Sequence, residues 1–298
     1  MIEQYIEKAK TLQSALPYIR EFYGKTFVIK YGGSAMTEES LRESFARDVV
    51  LLRYVGIRVV VVHGGGPQIS QTLERFGVKA HFVGGMRRTD EDTIHIVEMV
   101  LSGDINKDIV ALINMHSGQN IYAVGLSGRD GQLIRAKKLD KEKYFTELGL
   151  EVPEEDIGFV GEVESVNTEL LHALMEKGYI PVIAPIGVGE RGEAYNINAD
   201  LVASEVAKAL KAEKLIFLTD TEGVKDAQGK LIPTLNKDKV YELIQQGVIK
   251  GGMLPKIKSA IKALQSGVRK VHIIDGRVPH SILLEVFTEE GIGTEIVE

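Results

Sequence analysis

The chain has 298 residues, 44% of them hydrophobic, enough for one large α/β domain or two lobes. A net charge of −6 without long like-charge runs argues against nucleic-acid and membrane-surface partners, and the absence of cysteine excludes disulfides, thiol catalysis and cysteine metal sites. The first residues, Met1 to Lys8, mix acids with apolar side chains, unlike a signal or transit peptide. No apolar run approaches the ~18 residues of a membrane span, so a cytoplasmic protein is expected.

Residues 2–23 carry apolar side chains three or four apart, among them Ile2, Ile6, Leu12, Leu16, Ile19 and Phe22, which predicts an amphipathic helix kinked near Pro17. Its apolar stripe needs cover, either from its own domain or from a neighbouring subunit. From Thr26 onward strands and helices alternate. Strands are predicted at 26–31, 57–63, 120–125, 180–185, 214–219 and 269–274. Helices are predicted at 38–55, 67–76, 90–116, 167–178, 198–211, 255–266 and 279–288. Such alternation predicts a largely parallel sheet covered on both faces. Residues 132–166 interrupt it with short strand-like pieces and an acidic loop, read as an antiparallel hairpin insert.

The first two strands end alike. Phe27-Val28-Ile29-Lys30 runs into Tyr31-Gly32-Gly33, and Val59-Val60-Val61-Val62-His63 runs into Gly64-Gly65-Gly66-Pro67. Glycine turns at the carboxyl edge of a parallel sheet leave backbone N–H groups free beside a helix N-terminus, where anions bind. Lys30 adds a point charge suited to a phosphoryl group, although no Walker A pattern occurs in the chain. His63 has no partner at ligand spacing and reads as a structural or orienting residue. Asn196-Ile197-Asn198-Ala199-Asp200 leads into a helix with more polar groups than one N-cap needs. Gly251-Gly252-Met253-Leu254-Pro255-Lys256 puts a cation at a helix start, against the helix dipole, which points to an anionic ligand there. Gly187 to Gly192 matches G-x-G-x-x-G, but residues 193–197 look like a return strand and not a helix, so a hairpin turn is the better reading. Metal-ligand spacing and a G-x-S-x-G elbow are both absent. Phosphoryl transfer to a carboxylate fits these parts, because an ionised carboxylate needs no general base.

Six segments in order, Lys30-Tyr31-Gly32-Gly33, His63 to Pro67, Gly85-Met86-Arg87-Arg88-Thr89, Asn196 to Asp200, Leu218-Thr219-Asp220 and Gly252 to Lys256, resemble the amino acid kinase family over essentially the whole chain. The resemblance implies a three-layer αβα sandwich with a mainly parallel central sheet. It also implies phosphorylation of the side-chain carboxylate of N-acetyl-L-glutamate by ATP, with Mg2+ held mainly by the nucleotide phosphates, in arginine biosynthesis. Under it Lys30 and Lys256 stabilise the migrating phosphoryl group and Asp200 holds both lysines. Gly32, Gly33, Gly65 and Gly66 offer backbone N–H groups to phosphate or acceptor oxygens. Arg87, chosen over Arg88 by motif register alone, clamps the acceptor α-carboxylate, and Asn196 binds the acetylamino or α-carboxylate end. Thr219 and Asp220 lie near the nucleotide.

The same resemblance divides the chain into an oligomerisation helix (1–24), an acceptor-binding lobe (25–211) and a nucleotide-binding lobe (212–298). Its two ends resemble the arginine-inhibited branch, in which N-terminal helices interlace dimers into a hexamer and L-arginine binds beside the C-terminal helix, here at His272, Glu285 and Gly291. Three other readings compete: an aspartate or glutamate 5-kinase, a catalytically silent arginine sensor that keeps the fold, and a nicotinamide-dependent oxidoreductase resting on the rejected glycine pattern.

Overall fold

The computed structural model describes residues 2–298. A helix α1 (Ile2–Phe22) passes through Pro17 and precedes strand β1 (Thr26–Tyr31), a 3₁₀ turn (Gly33–Met36), α2 (Glu39–Tyr54) and β2 (Arg58–His63). Next come α3 (Gly66–Arg75), a short ribbon of β3 (Phe82–Val83) and β4 (Met86–Arg87), and α4 (Glu91–Glu98). A π-helical stretch (Met99–Ile105) joins α4 to α5 (Asn106–His116), so the helix predicted over 90–116 exists but is re-registered in its middle. The chain continues through β5 (Tyr122–Ser127), β6 (Ile134–Lys138), α6 (Lys141–Leu148), β7 (Gly161–Val166), α7 (Thr168–Glu176) and β8 (Tyr179–Ala184). It then passes β9 (Ile186–Val188), β10 (Ala194–Asn196), α8 (Ala199–Ala209), β11 (Lys214–Thr219), β12 (Thr234–Asn236) and α9 (Lys237–Gln245). It closes with α10 (Met253–Gln265), β13 (Lys270–Asp275), α11 (Ser281–Val286) and β14 (Thr294–Val297).

Eight strands form the central sheet in the order β12-β14-β13-β11-β1-β2-β8-β5, parallel except where β14 runs against β13. Alternate residues of each strand feed opposite faces, as the two-residue strand period requires. Val28, Val60, Val62, Leu215 and Phe217 join α8 and α10 in one core. Phe27, Ile29, Val59, Val61 and Ile216 join α2, α5 and the π-helical stretch in the other. Each fully buried Val, Leu or Ile is worth roughly 1.5–3 kcal/mol, so the two faces hold the central strands from both sides and fix where their ends point. This is the expected αβα sandwich.

The hairpin insert is also present: β6 pairs antiparallel with β7, and with β9 and β10 they make a second, four-stranded sheet. The G-x-G-x-x-G segment is the turn between β9 and β10, which pair antiparallel, and opens no helix. Helices α6 and α9, edge strand β12 and its neighbour β14 were not predicted. The two helices are polar and short, and their starts are marked by Asp140 and Asn236, whose side chains accept backbone N–H bonds from Lys143 and Lys239.

Candidate active site

The strand order brings the carboxyl ends of β1, β2 and β11 side by side. Lys30 leaves the end of β1 with its side chain 14% exposed. Gly33, three residues on, sits at φ 72°, where a β-carbon would also overlap the Asp220 carboxylate. Asp220 stands at the end of β11 and accepts a hydrogen bond from the Ser34 N–H at 2.7 Å. At the end of β2, Gly65 caps α3, and its missing side chain leaves the space that Leu101 and Ile105 of the π-helical stretch occupy. The first N–H groups of α3 have no intrahelical acceptor.

Asp200 is the second residue of α8, held there by the Asn198 N-cap, whose side chain accepts the Asp200 N–H at 2.8 Å. It lies between two ammonium groups. Lys256 Nζ donates to Oδ2 at 2.6 Å, and Lys30 Nζ makes an ion pair with Oδ1 at 3.3 Å. Burial works to raise the Asp200 pKa, but Lys30 and then Lys256 outweigh it and hold the carboxyl down at about 2. Burial also pushes the Lys256 pKa down, against the pull of Asp200. A cation at a helix start, puzzling in sequence, is thus offset by an acid from another helix.

A cleft of about 290 Å³ opens beside this trio, lined by Lys30, Gly33, Gly65, Arg87, Asn196 and Asp200. Gly32 and Gly66 also border it. Arg87, buried on β4, donates to the Gly66 carbonyl at 2.9 Å and to Ser70 Oγ at 2.7 Å and lies over the Phe82 ring. Its other terminal nitrogen, Nη1, is buried without a hydrogen-bond partner. A guanidinium nitrogen left unpaired in a cleft is free to donate to an anionic oxygen such as a carboxylate's. Arg88 instead turns outward to Glu155. Asn196 Nδ2 donates to Thr89 Oγ1 at 3.1 Å, leaving its carbonyl oxygen for another partner. Gln68, which no sequence signal marked, borders the same cleft with its Oε1 buried and unpaired.

Asp220 borders a second cleft of about 360 Å³ with Gly223, Lys225, Lys250, Met253 and Arg277. Thr219 borders neither cleft; its carbonyl accepts the Gly276 N–H at 2.8 Å within the sheet edge. Among the described residues, no three His, Asp or Glu side chains cluster as a metal cage.

His272 and Glu285 meet elsewhere, at the far end of β11 and β13. The Lys214 ammonium can only donate, so His272 Nε2 accepts from it at 2.9 Å and His272 Nδ1–H donates to Glu285 Oε1 at 2.6 Å. Glu285 Oε2 accepts the N–H groups of Ile292 and Gly293. Burial would raise Glu285, but the His272 bond and these two N–H groups hold it below its usual value. Burial, helped by Lys270, pushes Lys214 down to about 8. A cavity of about 330 Å³ lies over this chain of bonds, bordered by Glu285, Gly291 and Glu295 and by Tyr18 and Glu21 of α1. Lys214 and the α1 residues were missed in sequence. A lysine opening an apolar strand, like Lys30 closing one, was the available signal.

The family model described as the amino acid kinase family matches residues 25–275. The chain belongs to that family. It is 73% identical over 295 residues to an acetylglutamate kinase of Aquifex aeolicus (strain VF5), covering 99% of each chain. Its backbone matches an N-acetylglutamate synthase from Neisseria gonorrhoeae, solved with coenzyme A and N-acetyl-glutamate, at a TM-score of 0.83 and 27% identity. That match covers 97% of this chain and 63% of the synthase. The synthase solved with coenzyme A and L-arginine matches at 0.81 and 27% identity, covering 97% of this chain and 65% of that one. No described helix is long and apolar enough to cross a membrane.

Proposed function

We propose that this acetylglutamate kinase relative transfers the γ-phosphoryl group of MgATP to the side-chain carboxylate of N-acetyl-L-glutamate, in arginine biosynthesis, and is inhibited by L-arginine. The observation that carries the reaction is Asp200 gripping Lys30 and Lys256, with Lys30 and Asp200 lining a cleft that also holds an unsatisfied guanidinium nitrogen. The acceptor carboxylate is ionised at neutral pH and attacks the γ-phosphorus; the bond to the β–γ bridging oxygen breaks, and ADP leaves. No proton has to move. Lys30 and Lys256 neutralise charge on the three equatorial oxygens, and Asp200 keeps both ammonium groups aimed before substrate arrives. Gly32, Gly33, Gly65 and Gly66 supply N–H groups, Arg87 takes the α-carboxylate and Asn196 the acetylamino end. The nucleotide takes the cleft at Asp220, its Mg2+ held mainly by the phosphates.

The division into helix 1–24, acceptor lobe 25–211 and nucleotide lobe 212–298 follows from this placement. The cavity at His272, Glu285 and Gly291 suits L-arginine, since Glu285 and Glu295 offer carboxylates to a guanidinium, and a structural relative was solved with L-arginine. The exposed apolar side chains of α1, Tyr5, Ile6, Leu12 and Leu16, suit a homo-oligomer, a hexamer in this reading. The test is ADP release with MgATP and N-acetyl-L-glutamate, with L-glutamate and L-aspartate as controls, with and without L-arginine. Turnover confined to the acetylated acceptor and suppressed by L-arginine is expected. Turnover on another acceptor overturns the substrate, and uninhibited turnover overturns the effector.

A further inference from the structure

His63 and Asn106 form a closed chain of hydrogen bonds beneath the second glycine turn, and neither has a role in the reaction described above. Both are fully buried. His63 Nδ1 lies 2.9 Å from the Gly64 carbonyl oxygen, which can only accept, so Nδ1 carries the proton. Nε2 is then an acceptor, and Asn106 Nδ2 faces it at 3.1 Å. The orientation of the Asn106 amide is itself fixed twice. Its Nδ2 also donates to the Val182 carbonyl at 2.9 Å, and its Oδ1 accepts from Lys107 Nζ at 2.9 Å. Each group determines the next, from the neighbouring strand to the turn.

We propose that Asn106 is a positioning residue: its amide fixes the His63 tautomer and ring, which hold the Gly64 carbonyl inward and so aim the Gly65 N–H into the acceptor cleft. The last step rests on the trans peptide plane. In the trans Gly64–Gly65 peptide the N–H points opposite the carbonyl, the carbonyl is held by a fully buried ring, and Gly65 borders the cleft. Burial also pushes the His63 pKa down to about 4, so the ring stays neutral and keeps one donor and one acceptor at working pH.

A second observation comes from the backbone. The π-helical stretch directly before Asn106 inserts an extra residue and rotates α5 by roughly 100° relative to a continuous α-helix. The same stretch packs Leu101 and Ile105 where a Gly65 side chain would go. One irregularity therefore both seats the turn and presents Asn106 to His63. Such π turns occur at functional sites more often than elsewhere.

The proposal rests on the acceptor cleft assigned above, and its test separates the two. Ring-labelled 15N NMR of the full-length protein reads the histidine tautomers without turnover, with His63→Asn identifying the His63 signals. A neutral His63 protonated at Nδ1 is expected in the native protein, shifting toward the Nε2 tautomer in Asn106→Ala. A native ring protonated at Nε2 overturns the proposal even if the kinase assay succeeds.

In the kinase assay, Asn106→Ala is expected to lower kcat/KM for N-acetyl-L-glutamate by about tenfold or more, with KM for MgATP within about twofold. His63→Asn keeps an amide N–H near the Nδ1 position and is expected to retain most activity. His63→Leu, which buries more comfortably, is expected to lose about tenfold while melting no lower than His63→Asn. A merely structural role reverses that order. Activities that follow the melting temperatures, or a loss shared equally by both substrates, overturn the proposal.

Discussion

Asp200 holds two lysines of unequal exposure: the Lys256 side chain is 8% exposed and that of Lys30 14%. In the proposed reaction, replacing either lysine by alanine removes one positive charge facing the transferring phosphoryl group, a loss worth roughly 10²–10³ in turnover by analogy with single oxyanion donors. Lys30→Ala and Lys256→Ala are therefore expected to turn over about a hundredfold or more slowly, with circular dichroism unchanged; turnover near native in both removes them from the reaction. Lys214 allows a test by pH. Its folded pKa of about 8 lies below the ~10.4 of an unfolded lysine, so between these values the unfolded chain binds more protons. The stability contributed by this group therefore rises as pH climbs from about 8 to about 10. The melting temperature of Lys214→Met relative to the native protein should be most favourable at pH 7 and decline toward pH 9.5, and a flat difference refutes the assignment. Lys30 and Lys256 were legible in the sequence because each breaks a local rule, a charge ending an apolar strand or opposing a helix dipole, and Asp200 because it stands among more polar groups than one N-cap needs. Asn106 and Gln68 were not, because a buried amide inside a helix looks like any exposed one until its neighbours are known.

Among the elements, α1 is the least committed to the body of the chain. Leu12 is 75% exposed and Tyr5 61%, whereas Phe22 is buried against Phe27. The helix therefore divides near residue 16 into an outer part with an uncovered apolar stripe and an inner part that borders the C-terminal cavity through Tyr18 and Glu21. Cutting at residue 24 would take Phe22 from the core. Deleting residues 2–16 instead is expected to leave a folded, active protein of smaller oligomeric mass in light scattering, and an unchanged mass removes α1 from the assembly. The α1 stripe was readable from its 3.6-residue period, and the central strands from short continuous apolar runs, because both of their faces are buried. The π-helical stretch was not, since one extra residue in an apolar helix leaves the pattern of apolar side chains intact on either side. Strands β12 and β14, three and four residues long, were too short to show a pattern.

Across the whole molecule, two sites sit at opposite ends of the same strands. β11 begins at Lys214, beside His272 of β13, and ends at Thr219, next to Asp220. Six extended residues span roughly 20 Å, so in the proposed regulation a ligand at the Lys214 end would reach the lysine pair through packed structure and not by contact. Two rigid links are in place. Gly276, just past β13, packs on Ala35 in the 3₁₀ turn after Gly33, and α11 is tied to α2 by bonds from His280 to Ser44 and Asp48, each shorter than 2.8 Å. α11, which carries Glu285, is thus hydrogen-bonded through His280 to α2, and the end of β13 lies against the turn that begins at Gly33. A ligand that binds only the folded cavity must also stabilise the fold by mass action, about 2.7 kcal/mol at a hundred times its Kd. L-arginine at such a concentration is expected to raise the melting midpoint by several degrees, and L-citrulline, which keeps the shape without the charge, far less. Glu285→Gln keeps the size of the side chain and removes the charge that the proposed site offers to a guanidinium, so its L-arginine shift should collapse toward the citrulline value. A full shift in that variant would move the effector out of this cavity, and no shift in the native protein would remove L-arginine from the regulation of the enzyme.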